Sequence, residues 1–206
     1  MKPSPFLPRA ALAAALLSAL LGGWTASDAL AGPVADRVKS SGTVRVCIWP
    51  DYYGITFRNP RTDQLSGIDI DLSAEFAKAI GARLQYVDSS FARLVEDIGG
   101  DRCDIAMHAV GVTAQRRQHL TFSAPYLQSD IYGVTTRSNR VVRQWDDIDK
   151  PGVRVAVQAG TFMEPVMAAA LKRAQMVVIR PPMTREAELE AGRVDVFMTD
   201  YPYSRR

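Results

Sequence analysis

The sequence predicts an α/β protein of two lobes, each built on a mostly parallel sheet. Three observations lead there. Strand-like and helix-like segments alternate along almost the whole chain, which is the order that βαβ units require. That rhythm breaks between Phe122 and Ile131, at Ser123-Ala124-Pro125-Tyr126, where the chain crosses from one lobe to the other. Hydrophobic residues make up 47% of the 206, enough for one core or for two small ones.

The first 31 residues read as a secretory signal. Lys2 and Arg9 form a basic head, Ala10 to Leu21 is apolar except for Ser18, and Ala29-Leu30-Ala31 supplies small residues for cleavage. Such a run is too short to cross a bilayer core of about 30 Å. The expected compartment is therefore the periplasm. The mature chain then divides into lobe 1 over 32–127 and lobe 2 over 128–206.

The elements follow in order. Thr43 to Ile48 is β-rich, and a turn-prone stretch with Pro50, Gly54, Asn59, Pro60 and Gly67 comes next. Asp69 or Asp71 can cap a helix through Lys78, with Leu72, Phe76 and Ile80 at four-residue spacing turned to a core. Arg83 to Val87 reads as a strand. Ser89 or Ser90 caps a helix carrying Leu94 and Ile98, and Gly99-Gly100 ends it. Asp104 to Val110 is the next strand, and Thr113 starts a short helix. Beyond the crossover, Ile131 to Thr136, Val153 to Val157, Met176 to Ile179 and Val194 to Met198 read as strands. Helices from about Glu164 to Arg173 and Thr184 to Ala191 lie between them, and Asp146 to Gly152 is a surface loop.

The two cysteines are expected to be free and buried. Cys47 ends one strand and Cys103 opens another, so parallel neighbours would hold them several residues apart at about 3.3 Å each. A disulfide needs Cα atoms within about 7 Å.

In open α/β sheets, ligands gather beyond the carboxyl ends of strands and at helix starts. Trp49, Tyr52 and Tyr53 crowd the loop after the first strand, more aromatics than one turn buries. Gly111, Arg116 and Arg117 follow the Asp104 strand. A glycine there admits a ligand to the backbone, and an arginine one turn into a helix grips a carboxylate with paired bonds, although an Arg-Arg pair also suits a solvated helix face. Ala159-Gly160-Thr161 sits where helix N–H groups favour an anion, and serves a plain N-cap equally well. Asp200, after the last strand, can hold a ligand cation or cap a turn. His108 ends a strand beside the suspected cleft and is either a ligand contact or a hydrogen-bonded core residue. With His108 and His119 the only histidines, and no nucleophile-elbow, zincin or phosphate-loop pattern, no metal, cofactor or catalytic residue is expected. A net charge of +3 with scattered basic residues points away from nucleic acid.

Several segments together resemble the bacterial extracellular solute-binding proteins of family 3. They are Val44-Arg45-Val46, Gly67-Ile68-Asp69-Ile70-Asp71-Leu72, Cys103-Asp104-Ile105-Ala106 and Thr113-Ala114-Gln115-Arg116-Arg117, in that order. Phe122-Ser123-Ala124-Pro125-Tyr126, Gln158-Ala159-Gly160-Thr161 and Gly192-Arg193-Val194-Asp195, running into Thr199-Asp200, complete the series. The resemblance implies a periplasmic-binding-protein fold whose lobes close by a hinge around an amino acid or similar small zwitterion. It also implies delivery to an inner-membrane ABC permease by a monomeric protein that is not an enzyme. By that resemblance Arg116 holds the ligand α-carboxylate with help from Thr161, Asp200 holds the α-amino group, Tyr52 is the aromatic platform and Phe91 faces it. The sequence departs from the pattern at His108, Ala109 and Val110, where relatives are often serine-rich, and at Trp49, where many carry a small or acidic residue. Family members also continue past the position of Arg206, so a C-terminal part is expected to be missing here and this chain alone to be poorly stable. The alternative is a cyclohexadienyl or arogenate dehydratase on the same fold, suggested by Asp146 to Val153 and Met198-Thr199-Asp200. It lacks an acid among Tyr201, Pro202, Tyr203 and Ser204, and leaves Glu164 as a substitute. An accessory or sensor domain is a third reading.

Overall fold

The computed structural model describes residues 32–206, so the signal sequence expected over 1–31 lies outside the described residues. Helix α1 (Pro33–Ser41) leads into β1 (Thr43–Ile48), which is flanked by β5 (Arg83–Asp88) and β6 (Ile105–Ala106) in a parallel sheet of order β5-β1-β6. As the central strand β1 is covered on both faces. Its Val44, Val46, Cys47 and Ile48 are all buried, which is why it reads as an apolar run rather than an alternation.

A small antiparallel sheet of β2 (Asp51–Tyr52), β3 (Thr56–Arg58) and β4 (Leu65–Ser66) grows from the loop after β1. Sequence reading takes this stretch only as turns, because strands of two or three residues carry no measurable period. Helices α2 (Ile68–Ala79), α3 (Leu94–Gly99) and α4 (Ala114–Arg117) complete the first unit. Gly67 starts α2 at a φ of 129°, and a Cβ there would stand 2.3 Å from the Ile55 carbonyl oxygen, so only glycine lets the helix begin so close to β3.

The face of α2 that meets the sheet is not the expected one. Asp69, Ser73 and Ala77 are buried, while Leu72, Phe76 and Ile80 are 37–44% exposed. Small residues at Ser73 and Ala77 let the helix lie close to β5, and the Ser73 hydroxyl bonds the Tyr86 hydroxyl at 2.8 Å. Close approach and this polar contact outweigh the burial of the larger side chains. Asp69 is fully buried. It accepts the Ala109 N–H at 2.6 Å and the Tyr126 hydroxyl at 2.7 Å, which ties the crossover segment to lobe 1. Burial pushes its carboxyl above the usual aspartate range.

Cys47 and Cys103 form a disulfide with Cα atoms 5.6 Å apart, which corrects the expectation of free thiols. The strand-spacing argument fails because β6 begins only at Ile105. Cys103 precedes it in a bend after Asp101, whose φ is 58°, and that bend returns the sulfur to β1. The strand expected over Asp104 to Val110 is likewise cut short, since Ala109 takes a left-handed φ of 48° and leaves the sheet.

The second unit is a four-stranded sheet of order β7-β10-β8-β9, from β7 (Tyr132–Val134), β8 (Arg154–Gln158), β9 (Gln175–Ile179) and β10 (Val196–Thr199). Only β7 runs antiparallel, against β10; the other pairs are parallel. Helices α5 (Met163–Ala170), α6 (Arg185–Glu190) and α7 (Tyr201–Ser204) follow β8, β9 and β10 in turn. Val155, Val157, Val196 and Met198 form its core with Met163 and Met167 of α5. Each such buried side chain contributes on the order of 1.5–3 kcal/mol. Among the described residues no helix is long and apolar enough to cross a membrane.

Candidate functional site

Residues that follow the carboxyl ends of β1 and β10 line one cavity of about 400 Å³ between the two units. Its lobe 1 wall carries Trp49, Tyr52, Phe91 and Gly111; its lobe 2 wall carries Thr161, Phe162, Arg185 and Asp200. The crossover from Phe122 to Ser129 closes one side. Six of the eight residues singled out in the sequence thus line one cavity: Trp49, Tyr52, Phe91, Gly111, Thr161 and Asp200. His108 and Arg116 do not.

The aromatic residues pack as a box. Phe91 presents its edge to Trp49 at 5.5 Å and to Tyr52 at 5.7 Å, and Trp49 lies parallel to Tyr203 of lobe 2 with centroids 6.0 Å apart. These rings come from three separate stretches of the chain (Trp49 and Tyr52, Phe91, and Tyr203 of α7), so no local pattern reveals the set. Tyr52 reaches across and donates its hydroxyl to Asp200 Oδ2 at 2.5 Å. Burial, then the adjacent Asp200 carboxylate, pushes its phenol far above the usual range, so it stays a donor. Asp200 is also the N-cap of α7, with Oδ1 accepting the Tyr203 N–H at 3.0 Å. Of the two sequence alternatives for Asp200 the structure shows the cap, and its carboxylate also borders the cavity as the sole acid among the lining residues.

Arg116 behaves differently from the expectation. Thr113 caps its short helix, accepting the Arg116 N–H at 3.1 Å. The guanidinium is then taken by two carbonyls, Gly111 O on lobe 1 and Gly160 O on lobe 2, each at 2.6 Å. It straps the lobes, and its guanidinium lies 5.8 Å from the centroid of the cavity-lining Phe91 ring. Burial lowers its pKa, with no carboxylate beside it to offset that cost.

The start of α5 is self-satisfied. Glu164 Oε2 accepts the Gly160 N–H at 2.7 Å, and the Thr161 hydroxyl donates to Gln158 O at 2.7 Å. The place where an anion was expected is filled by the chain's own carboxylate, so Glu164 serves the turn. Gly160 is also a point of closure. At φ 75°, an added Cβ would stand 2.5 Å from the Ala92 nitrogen, so any larger residue would hold the lobes apart.

His108 lies behind Phe91, its ring edge-on at a centroid distance of 4.9 Å. Nδ1 contacts Cys47 O at 3.3 Å while Nε2 is buried with no partner among the described residues. Burial pushes its pKa down to about 4, so it is neutral near pH 7 and supports the Phe91 wall.

Arg185 was not singled out in the sequence. It is only 3% exposed, lines the cavity and donates to Met198 O at 2.8 Å. The available signal was its position in the first turn of a helix, where a cation opposes the macrodipole and needs another reason to be present.

Residues 44–162 match the bacterial extracellular solute-binding proteins, family 3. The cyclohexadienyl dehydratase of Pseudomonas aeruginosa is 32% identical over 166 residues, covering 80% of this chain and 62% of that protein. A probable histidine-binding protein of Campylobacter jejuni is 27% identical, over 81% of this chain and 63% of its own length. The chain thus spans about three-fifths of the length of these curated relatives. Among solved structures, the ancestral amino acid-binding protein AncCDT-1, a precursor of cyclohexadienyl dehydratase, is 28% identical with a TM-score of 0.74, over 81% of this chain and 73% of its own. A truncated, arginine-bound ArgBP from T. maritima is 26% identical with a TM-score of 0.73, over 82% and 79%.

The likeness to a dehydratase overturns the expectation that the protein is not an enzyme. That expectation rested on missing nucleophile and metal motifs and, against a dehydratase, on the missing acid among Tyr201, Pro202, Tyr203 and Ser204; the 32% identity outweighs it, because an acid-assisted elimination needs no nucleophile or metal and its proton donor need not lie in that stretch. What the family match, the fold and the cleft establish together is membership: this chain belongs to the bacterial extracellular solute-binding proteins of family 3.

Proposed function

We propose that the cavity captures an amino acid, or a closely similar zwitterion, with an apolar ring-bearing side chain, in the periplasm and for ABC-type import. The observation that carries this reading is a cavity of about 400 Å³ walled by Trp49, Tyr52 and Phe91, with Asp200 as its sole acid. Pockets of several hundred Å³ with mostly apolar walls and few polar groups suit a small, ring-sized guest. An ammonium beside Asp200 gains a charge-assisted partner, and a ring laid against the aromatic wall buries a face. A cationic amino acid brings a second positive charge into a wall that offers one carboxylate and already holds Arg185. Contacts from both lobes, Tyr52 on one side and Asp200 on the other, give the bound guest a preference for the closed arrangement.

A thermal-shift screen of the mature protein against amino acids and aromatic acids tests it. Phenylalanine, tyrosine or tryptophan is expected to raise the melting temperature, and arginine and lysine are expected to leave it unchanged. Stabilisation by cationic amino acids alone would sink the reading. The 32% identity to cyclohexadienyl dehydratase favours a second reading, in which the same cavity holds a cyclohexadienyl acid and eliminates water from it. Formation of an aromatic product from prephenate by the purified protein distinguishes that activity from capture alone.

A further inference from the structure

Asp69 is fully buried, and among the described residues it forms no ion pair. A carboxylate taken out of water is costly unless donors meet it. Here the donors come from two distant segments and not from its own helix α2. Oδ2 accepts the Ala109 N–H at 2.6 Å, and the Tyr126 hydroxyl is shared between Oδ1 at 2.7 Å and Oδ2 at 2.8 Å.

Both partners belong to cavity walls. Ala109 lines the cavity in a left-handed conformation, at φ 48°, and opens the lining run Val110, Gly111 and Val112. A residue with a Cβ keeps that conformation only where its surroundings fix it, and the bond to Asp69 does so. Tyr126 lies in the crossover that closes one side of the cavity. Asp69 touches both segments without lining the cavity itself. The crossover has a second tie, to lobe 2. Ser129 Oγ accepts the Tyr201 N–H at 3.0 Å, at the start of α7 and beside Asp200. Only Leu127 and Gln128 lie between the two ties. Both are exposed, and neither forms a hydrogen bond among the described residues.

Hinges are a few residues that absorb backbone rotation between parts held firm. We propose that Asp69 is a positioning residue for ligand capture: through Tyr126 it pins the lobe 1 end of the crossover, so that closure bends the chain at Leu127 and Gln128, and through Ala109 it sets the wall formed by 109–112. This inference rests on the reading that the cavity captures an amino acid. It adds how lobe 1 presents its walls to the guest.

The test is calorimetry with L-phenylalanine, and melting, of the protein and its Asp69→Ala, Asp69→Asn, Tyr126→Phe and Asp69→Ala/Tyr126→Phe variants. Asp69→Ala cuts both ties and is expected to weaken binding at least about tenfold, because fewer molecules hold the competent arrangement. Asp69→Asn is expected to recover affinity to within about threefold of wild type, since its oxygen keeps the Ala109 N–H and its amide can donate to the Tyr126 oxygen. Tyr126→Phe removes one hydroxyl from a half-exposed residue. It is expected to weaken binding about fivefold with little change in melting temperature, the reverse of what a bond serving stability alone would give. The double variant should bind like Asp69→Ala, because the hydroxyl has already lost its partner. A folded Asp69→Ala that binds like wild type overturns the inference and leaves the function standing. So does an Asp69→Asn as weak as Asp69→Ala, and so do additive losses in the double variant, which would put the Tyr126 hydroxyl on the guest. Should Asp69→Ala fail to fold by circular dichroism, the other single variants decide. Weak binding in Tyr126→Phe with recovery in Asp69→Asn supports the inference, and any other pair of results overturns it. Wild type that does not bind L-phenylalanine overturns the proposed function and this inference together.

Discussion

Replacing Asp200 by Asn is expected to weaken binding of an aromatic amino acid by roughly 2–5 kcal/mol, the range for truncating one partner of a buried charge-assisted pair. The argument comes from the double use of this side chain. Its oxygens already accept the Tyr52 hydroxyl and the Tyr203 N–H, so it is held in place before any guest arrives. A carboxylate fixed in this way has little conformational freedom left to lose on binding. The amide of Asn can still accept the cap bond through its oxygen, so α7 should survive. It cannot, however, supply a counter-charge for an ammonium. Asp200→Ala goes further: it removes the cap, worth about 1 kcal/mol, and leaves the buried Tyr52 hydroxyl without its acceptor at about 1–3 kcal/mol. Calorimetry and melting curves on the two variants separate these effects. Asn should lose affinity with little change in stability, and Ala should lose both. Affinity retained in Asp200→Asn would remove this carboxylate from the binding site.

The second large effect concerns stability. The Cys47–Cys103 bridge spans 56 positions in sequence, and closing a loop of that size in the unfolded chain is worth about 4 kcal/mol on a chain-entropy estimate. For a chain of this length about 1 kcal/mol moves the melting temperature by about 2–4 °C, so the double variant Cys47→Ser/Cys103→Ser should melt about 8–16 °C lower. The bridge also lies under the site. Cys47 O is the partner of His108, and His108 backs Phe91, so its loss loosens the aromatic wall as well. Melting of the oxidised protein with and without reductant checks this. Coincident curves, with thiol titration confirming full reduction, would show that the bridge contributes nothing.

These two side-chain pairs also mark how far the sequence carries. The alternation of elements was legible, most clearly from β8 to β10, because Val155, Val157 and Val196 are buried on a sheet covered by helices and so form plain apolar runs. That the loops after β1 and β10 would border a cleft was legible from the alternation, since in such sheets loops at the carboxyl ends of strands are where clefts form. The buried face of α2 was not: a pattern of large apolar residues cannot disclose that Ser73 and Ala77 allow the closer approach. The disulfide depended on a bend before β6, and strand spacing says nothing about bends. The direction of the Arg116 side chain was set by the Gly160 carbonyl, 44 residues away in the chain. Arg185 and Tyr203 gain their meaning only when β9, β10 and the loop after β1 converge.

A crystal structure of the protein grown with saturating L-phenylalanine tests the central claim most directly. The account predicts density in the cavity against Trp49, Tyr52 and Phe91, with the ligand nitrogen about 3 Å from an Asp200 oxygen. Ligand bound outside this cavity, or turned so that its nitrogen lies away from Asp200, would contradict it.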